Sequence, residues 1–396
     1  MLTLDKVFNA QMVLKNIIRE TNVVRAYGIA NDCELYLKPE NLQITGSFKV
    51  RGSAYKIAML SEEEKAKGVI ACSAGNHAQG VALAATKNGI KSLICLPDTA
   101  PISKVEATKG FGAEVCLVEG CYDDAYGKAL ELRDSEGYTF VHPFDDENVI
   151  AGQGTIALEI LNDLDNIDAI VVPIGGGGLI SGIAYTAKQI RPSVKVYGVQ
   201  VTGAPSMYNS VKDGEIECLS SVSTIADGIA VKKPGENTFH YVSEYVDEIA
   251  LVTDDEVASA ILALIEKQKM IAEGAGATAV AAVMAGKFDL KGKREVAVVS
   301  GGNIDVTSLS RVIDRGLLNS GRSSSLLIEL IDKPGQLKEI SRIIADCGGN
   351  VTGVHYEKGN TESVNGCFLR IEMETRDFEH VNLITKTLRD EGFKLV

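Results

Sequence analysis

The stretch Ser47-Phe48-Lys49-Val50-Arg51-Gly52 carries the most information in this chain, because it places a lysine at a turn that enters a predicted helix. An ammonium is a poor nucleophile and a poor base until burial or nearby positive charge lowers its pKa. Phe48 and Val50 are apolar, and Arg51 adds positive charge. These neighbours favour a reactive amine that can form a Schiff base with an aldehyde. For this stretch alone, a surface lysine on a helix is the simpler interpretation.

A second segment, Ser73-Ala74-Gly75-Asn76-His77, is a turn of small residues that enters another predicted helix. Such a turn points free backbone N–H groups at one spot and adds the positive end of the helix, which suits a carboxylate. The Asn76 side chain can donate or accept a hydrogen bond in the same place. An ordinary helix cap without a ligand is the alternative.

Two glycine-rich segments follow, Gly175-Gly176-Gly177-Gly178 and Ser300-Gly301-Gly302-Asn303. Glycines let the backbone approach a phosphate closely. The first segment lacks the G-x-G-x-x-G spacing, and Gln200 rather than an acidic residue ends the next strand, which favours a single phosphate over a dinucleotide. The Ser300 hydroxyl, at a strand end, can exchange a hydrogen bond with a ring nitrogen. A tight turn and a helix cap, both without a ligand, are the alternatives.

Short β-branched runs alternate with helical segments from about residue 35 to residue 303, a pattern that predicts an α/β fold with a parallel sheet covered on both faces and two lobes. Ligands of such sheets collect at the carboxyl ends of strands, where three of the four segments lie. The predicted strands cover residues 35–37, 69–71, 92–96, 114–117, 169–172, 196–199 and 296–299, and the helices include 79–88 and 157–163.

A Ser/Gly-rich stretch at 318–324 predicts a linker between a domain at 1–317 and a second domain at 325–396. After it the pattern predicts strand, helix, two strands, helix and strand, the ferredoxin-like βαββαβ plan. These six elements are predicted at residues 326–331, 336–347, 350–357, 367–375, 378–389 and 393–396.

The composition excludes several classes of protein. The formal net charge of −13 argues against nucleic-acid and anionic-membrane partners. No apolar run reaches the ~18 residues of a membrane span. Residues 1–6 lack the pattern of a signal peptide, so the cytoplasm is the expected location. The eight cysteines form no C-x-x-C pair and the five histidines are scattered, so no metal site is predicted.

Together, the four segments resemble the fold-type II pyridoxal phosphate enzymes, the tryptophan synthase β-like group, and within it the threonine dehydratases (threonine ammonia-lyases). This resemblance covers nearly the whole chain. It implies that Lys49 is the Schiff-base lysine, with Phe48 packed on the cofactor ring and Asn76 at the ring hydroxyl. It further implies a phosphate cradle and a partner of the pyridine nitrogen, formed by Gly175, Gly176, Gly177, Gly178, Leu179 and Ser300. The substrate carboxylate would be held by Ser73, Ala74, Gly75 and His77.

The segment after the linker resembles an ACT domain, a regulatory module that often binds amino acids. Its first strand-to-helix turn would form the effector site through Asp332, Pro334, Gly335, Gln336 and Leu337. The resemblance implies a homo-oligomer, a dimer or a tetramer, that acts on a small amino acid. Members of the family serve isoleucine biosynthesis or threonine catabolism.

The expected reaction is dehydration and deamination of L-threonine to 2-oxobutanoate and ammonia by a carbon–nitrogen lyase, with L-serine giving pyruvate. Serine racemases of the same family carry a second serine in the substrate loop, where this chain has Ala74. Their divalent-cation site aligns with Gln200, Ala204 and Ser206, which supply no carboxylate. A racemase is therefore disfavoured. Two alternatives from other classes stay open, a nucleotide-binding Rossmann protein and an amino-acid sensor with an idle catalytic lobe.

Overall fold

The computed structural model describes residues 1–358 and 366–396, which form two compact units, Met1–Leu309 and Ser310–Val396. The strands of the first unit are β1 Val24–Arg25, β2 Glu34–Pro39, β3 Val69–Cys72, β4 Ser92–Pro97, β5 Glu114–Val118, β6 Thr139–Phe140, β7 Ala169–Pro173, β8 Lys195–Val201, β9 Glu248–Val252 and β10 Arg294–Val299. Its helices are α1 Leu4–Leu14, α2 Lys49–Ala58, α3 Glu62–Lys67, α4 Asn76–Lys87, α5 Ile102–Gly110, α6 Tyr122–Glu136, α7 Glu147–Asp163, α8 Gly178–Ile190, α9 Ser206–Asp213, α10 Glu236–Tyr245, α11 Asp254–Ala263 and α12 Gly274–Met284. Helix α13, Val306–Asn319, spans the boundary between the units.

The first unit has two lobes, each built on its own sheet. One sheet has the strand order β1-β2-β10-β7-β8-β9 and is parallel except for the edge strand β1. The other has the order β5-β4-β3-β6 and is parallel throughout. The buried apolar side chains of β7 and β10 pack with those of α7 and α8, since a parallel sheet needs helices on its faces. The predicted two-lobed α/β fold is confirmed.

All seven strands predicted for this unit are present, and three further strands were not predicted. Two of them, β1 and β6, are only two residues long and too short to show a pattern. The third, β9, lies at a sheet edge and is only partly buried along most of its length, so its apolar pattern is weak. The predicted helix at 157–163 is the last part of α7, which begins ten residues earlier. The Asp146 carboxylate caps α7 by accepting from the amides of Asn148 and Val149.

The second unit continues from α13 with β11 Ser323–Ile331, α14 Gln336–Asp346, β12 Asn350–Lys358, β13 Gly366–Glu374, α15 Phe378–Asp390 and β14 Lys394–Leu395. Its sheet is antiparallel, with the order β12-β13-β11-β14, and one face packs on the two helices through buried residues such as Ile340 and Ile384. The predicted βαββαβ plan is confirmed, and each element begins and ends within three residues of its predicted bounds.

The junction between the units differs in detail from the predicted linker at 318–324. Helix α13 continues through Asn319 and strand β11 begins at Ser323, which leaves only 320–322 outside regular structure. This short piece belongs to the second unit, where the Thr375 hydroxyl donates to the carbonyl oxygen of Gly321 at 2.6 Å. The Ser/Gly composition that suggested a linker thus includes the first residues of β11, which pair antiparallel with β13. Among the described residues, no helix is long and apolar enough to span a membrane.

Candidate active site

The loop that carries Lys49 lies directly beside the loop that carries Ser300. The amide of Phe48 donates to the carbonyl oxygen of Ser300 at 3.1 Å, and Ser47 forms a bridge with Gly301. Strands β7 and β10 are parallel neighbours, so the Gly175–Gly178 turn and Ser300 leave the sheet at the same edge. The Lys49 loop, the glycine turn and the Ser300 loop therefore lie at the same edge of this sheet.

Helices α2, α4 and α8 start at this site without a side-chain cap. The residues before them, Phe48 for α2, Gly75 for α4 and Gly177 for α8, cap none of the first amides with a side chain. Other helices of the chain, such as α7, do have such caps. First-turn amides have no partner within a helix, so three sets of donors and three positive helix ends remain for a ligand.

The Lys49 amine is half-buried and hydrogen-bonds the carbonyl oxygen of Pro143 at 2.8 Å. Burial lowers the pKa of Lys49 to about 8, although the charge of Glu273 acts in the opposite direction. Such an amine loses its proton far more readily than an ordinary lysine, as a nucleophile or base must. Phe48 packs against the core of the lobe built on the six-stranded sheet, and its ring centroid lies 5.4 Å from the Lys49 nitrogen.

Helix α2, which presents Lys49, is anchored by a buried cluster of charges. Arg51 donates to both oxygens of Glu40, at 2.8 and 2.7 Å, and to both oxygens of Glu159, at 2.6 and 2.8 Å. Lys38 pairs with Glu159 at 2.5 Å. Burial alone would raise the pKa of Glu40, but the charge and hydrogen bonds of Arg51 outweigh it and lower that pKa. The cluster joins α2 to strand β2 and helix α7.

The glycine turn offers amides without acceptors. Gly177 adopts φ +98°, in the left-handed region that favours glycine, and residues 176–179 are buried. Within the described residues, none of the backbone amides of residues 176–179 donates a hydrogen bond. The carbonyl oxygen of Gly176 accepts from the Thr238 hydroxyl at 2.6 Å, which holds the turn in place. A cradle of unsatisfied buried amides at a helix start fits a phosphate group.

The substrate loop that the sequence indicated is only partly available to a ligand. The Ser73 hydroxyl accepts from the Gly75 amide at 3.1 Å, and a Cβ at Gly75 would meet nothing within 4 Å. The His77 ring instead points into the protein, where Nε2 donates to the carbonyl oxygen of Val141 at 2.8 Å. Burial, followed by the charge of Lys49, lowers the pKa of His77 to about 3, so this ring is neutral and structural.

Two polar residues at the site, Glu273 and Asn303, had no predicted role, although Asn303 ends the segment that begins at Ser300. Glu273 precedes α12 and accepts from the Asn76 amide nitrogen at 2.7 Å, and Asn303 donates to the Asn76 oxygen at 2.8 Å. A sequence signal existed for Glu273, because it is a lone acid beside an otherwise apolar helix.

Two of the predicted cofactor contacts, Leu179 and Ser300, interact with other parts of the protein. Leu179 is buried in the core, and the Ser300 hydroxyl donates to the carbonyl oxygen of Ala275 at 3.3 Å.

Of the three positions that align with a racemase cation site, only Gln200 has side-chain hydrogen bonds to protein groups. The Gln200 side chain donates to the carbonyl oxygen of Ile174 at 3.3 Å and accepts from the Tyr208 amide at 2.8 Å. The buried Ser206 hydroxyl has no hydrogen-bond partner in the structure. Across the part of the chain that the structure describes, no group of three or more His, Cys, Asp or Glu side chains could hold a metal ion.

Residues 14–301 match the family model described as pyridoxal-phosphate dependent enzyme. The chain belongs to this family. Its cofactor is pyridoxal phosphate, and the site fits that group, with an amine of lowered pKa in Lys49 and buried free amides in the glycine turn. Family membership decides against the Rossmann alternative that the glycine turn had left open.

Three similar proteins illustrate the range of the family. The chain is 48% identical to L-threonine ammonia-lyase of Thermotoga maritima over 100% of its own length and 99% of that protein. The solved structure of the processed form of threonine deaminase isoform 2 from Solanum lycopersicum is 38% identical, with a TM-score of 0.75, and covers 78% of this chain and 93% of that one. Maize serine racemase is 34% identical, with a TM-score of 0.75, and covers 80% of this chain and 98% of that one.

Proposed function

We propose that this protein is a threonine ammonia-lyase, which converts L-threonine to 2-oxobutanoate and ammonia and L-serine to pyruvate. The observation that carries the proposal is the Lys49 amine, whose lowered pKa and position in the first turn of α2, beside the Ser300 loop, suit removal of a proton from Cα. The 48% identity to the Thermotoga maritima L-threonine ammonia-lyase over the full chain supports this choice of substrate.

In the proposed reaction, the amides around Ser73, Ala74 and Gly75 bind the substrate carboxylate, and Lys49 takes the proton from Cα. When bound, the cofactor delocalises the charge that develops on this carbon. The Cβ–O bond then breaks, and the hydroxyl group takes up one proton and leaves as water, which balances the proton removed from Cα. Hydrolysis of the released enamine consumes one water and yields the oxo acid and ammonia, so the net reaction balances without an oxidant.

Ala74 is the feature that favours elimination over racemisation. Racemisation needs a second proton donor on the face of Cα opposite the lysine, and the Ala74 methyl group has no proton to exchange. The neighbouring His77 ring is held by Val141 and Ser53 and is neutral, so it does not replace that donor. The residues that we propose as cofactor contacts are Phe48, Asn76, Ser300 and the Gly175–Leu179 turn.

The deciding experiment is an assay of the purified holoenzyme with L-threonine, L-serine and D-serine, in which 2-oxo acids and serine enantiomers are measured separately. We expect 2-oxobutanoate and ammonia in equal amounts and no D-serine. Interconversion of the serine enantiomers without oxo acid would favour a racemase. A holoenzyme that leaves all three substrates unchanged would favour a sensor with an idle catalytic lobe.

We further propose that residues 325–396 form an ACT regulatory domain, joined through 318–324 to a catalytic domain at 1–317. An amino-acid effector such as isoleucine would bind at the turn of Asp332, Pro334, Gly335, Gln336 and Leu337, between paired domains of a cytoplasmic homo-oligomer. Gly335 adopts φ +98° directly before α14, and a Cβ built on it would meet no atom within 4 Å. This open space supports a ligand site at the turn. The tomato threonine deaminase structure supports a separable catalytic domain, because 93% of it corresponds to only 78% of this chain.

A further inference from the structure

The Glu273 carboxyl group lies at the active site but has no role in the reaction proposed above. Its side chain is only 6% exposed. Its backbone amide donates to the carbonyl oxygen of Gly301 at 3.1 Å, and a Cβ added at Gly301 would overlap Oε1 of Glu273. The carboxyl group therefore lies against the Gly301 backbone, one residue from Ser300. A carboxyl group buried in this position needs hydrogen-bond partners, because an unpaired buried polar group is destabilising.

The contacts of Glu273 determine which way the Asn76 amide faces. Oδ1 of Asn76 accepts from Nδ2 of Asn303 at 2.8 Å, and Nδ2 of Asn76 donates to Oε1 of Glu273 at 2.7 Å. Asn303 is itself oriented, because the same nitrogen donates to the carbonyl oxygen of Thr45 at 2.7 Å. A flip of the Asn76 amide would place two donors together at Asn303 and two acceptors together at Glu273. One N–H of Asn76 consequently remains to donate to a ligand.

The charge of Glu273 changes near neutral pH. Burial, followed by the negative charge of Asp227, raises the pKa of Glu273 to about 7, against the opposing effects of the Asn76 hydrogen bond, Lys104 and the Asn303 backbone. Lys104 and Asp227 pair with each other at 2.8 Å. Lys49 is the other charged group that Glu273 influences. The carboxylate form accepts the Asn76 N–H as described, whereas the protonated form can donate from one oxygen.

We propose that Glu273 is a positioning residue for the cofactor, because its carboxylate holds the Asn76 amide with one N–H directed at the hydroxyl of the pyridine ring. This inference rests on the proposed function, in which Asn76 contacts that hydroxyl. A donor there stabilises the ionised form of the hydroxyl, so protonation of Glu273 shifts the balance between the neutral and ionised rings. The cofactor spectrum then reports the state of Glu273.

The test uses the purified holoenzyme without substrate and records the absorbance band near ~410 nm as pH is changed. We expect the band of the parent protein to change with a midpoint near the Glu273 pKa of about 7. Glu273→Gln keeps the shape and an acceptor oxygen but cannot titrate, so it should bind the cofactor and lose this midpoint. Glu273→Ala should weaken cofactor binding about 10-fold, the loss expected for one hydrogen bond to a charged group.

A second variant keeps the inference falsifiable if Glu273→Ala fails to fold. Asp227→Asn removes the negative charge that raises the Glu273 pKa, so the midpoint should move to lower pH. An unchanged midpoint in Glu273→Gln would show that another group titrates and would overturn the inference. A parent protein with the expected spectrum but no turnover of threonine would contradict the proposed substrate and leave the role of Glu273 intact.

Discussion

Lys49 donates a hydrogen bond to the carbonyl oxygen of Pro143, 2.8 Å away, although the two residues are 94 positions apart. Phe144, the next residue, packs so closely on the glycine turn that a Cβ at Gly176 would overlap its ring. The loop between β6 and α7 thus touches both the proposed base and the proposed phosphate cradle. A substitution that shifts this loop at Lys49 should therefore also affect the glycine turn, and the reverse.

Replacement of Lys49 by alanine should abolish elimination. The substitution removes both the amine that bonds the cofactor and the base for Cα, and loss of a general base alone costs about 10²- to 10⁴-fold. The turnover number with L-threonine measures the effect, and circular dichroism checks the fold. Turnover equal to that of the parent would end the proposed role of Lys49.

Cofactor uptake by the apoprotein should become faster as pH rises. Burial lowers the pKa of Lys49 to about 8, so the amine is mostly protonated at neutral pH and becomes the reactive neutral form above it. The rate of appearance of the ~410 nm band should be half-maximal near this pH. In Glu273→Gln the midpoint should fall, because the charge that raises the Lys49 pKa is lost. A rate independent of pH would contradict the assignment of Lys49.

Substitution of Gly176 by aspartate should weaken pyridoxal phosphate binding. The new Cβ would overlap the Phe144 ring, and the carboxylate would repel a phosphate held by the neighbouring amides. Gly127→Ala is the matched control, since Gly127 lies in an exposed part of α6 with open space around it and should gain up to about 1 kcal/mol. Cofactor affinity equal to that of the parent would place the phosphate site elsewhere.

Removal of the Arg51 charge should destabilise the first unit strongly. Arg51→Met leaves Glu40 buried without its partner, and breaking a buried ion pair in this way costs about 3–5 kcal/mol. Urea unfolding of the variant measures the loss. Lys67→Ala, which breaks an exposed pair with Glu63, should change the free energy of unfolding far less. If both variants lose the same free energy of unfolding, the buried cluster contributes no more to stability than an exposed ion pair.

Acid should weaken the same cluster. The folded pKa of Glu40 lies below its ordinary value, so Glu40 contributes stability above the unfolded pKa and loses it as pH falls through the folded pKa. The free energy of unfolding of the parent should accordingly drop in acid. In Glu40→Gln, which has no carboxyl to titrate at this position, the drop should be smaller.

Truncation of the second unit should remove regulation and leave chemistry intact. Ending the chain after Asn319 keeps all of α13, whereas ending it after Leu309 follows the boundary of the compact units. We expect the longer version to fold, bind the cofactor and turn over threonine without a response to isoleucine. Activity across an isoleucine titration is the measurement. A folded, cofactor-loaded but inactive protein would mean that residues 320–396 take part in catalysis.

Local patterns in the sequence were enough to predict the architecture. The strand ends before Ser73, Gly175 and Ser300 could be read from apolar runs and turn residues, because burial on both faces of a parallel sheet imposes such runs on the sequence itself. The βαββαβ order of residues 323–395 followed from the same signals. The glycine turn was also visible, since a left-handed conformation such as that of Gly177 favours one residue type.

Only the tertiary structure decided how the polar groups are paired. It turns the His77 ring into the protein toward Val141, and it brings Glu273 to Asn76 across a separation of 197 residues. It also begins strand β11 within the Ser/Gly stretch that had suggested a linker. Hydrogen-bond partners and burial depend on where distant strand ends meet, and neither leaves a periodic mark on the sequence around the residue concerned.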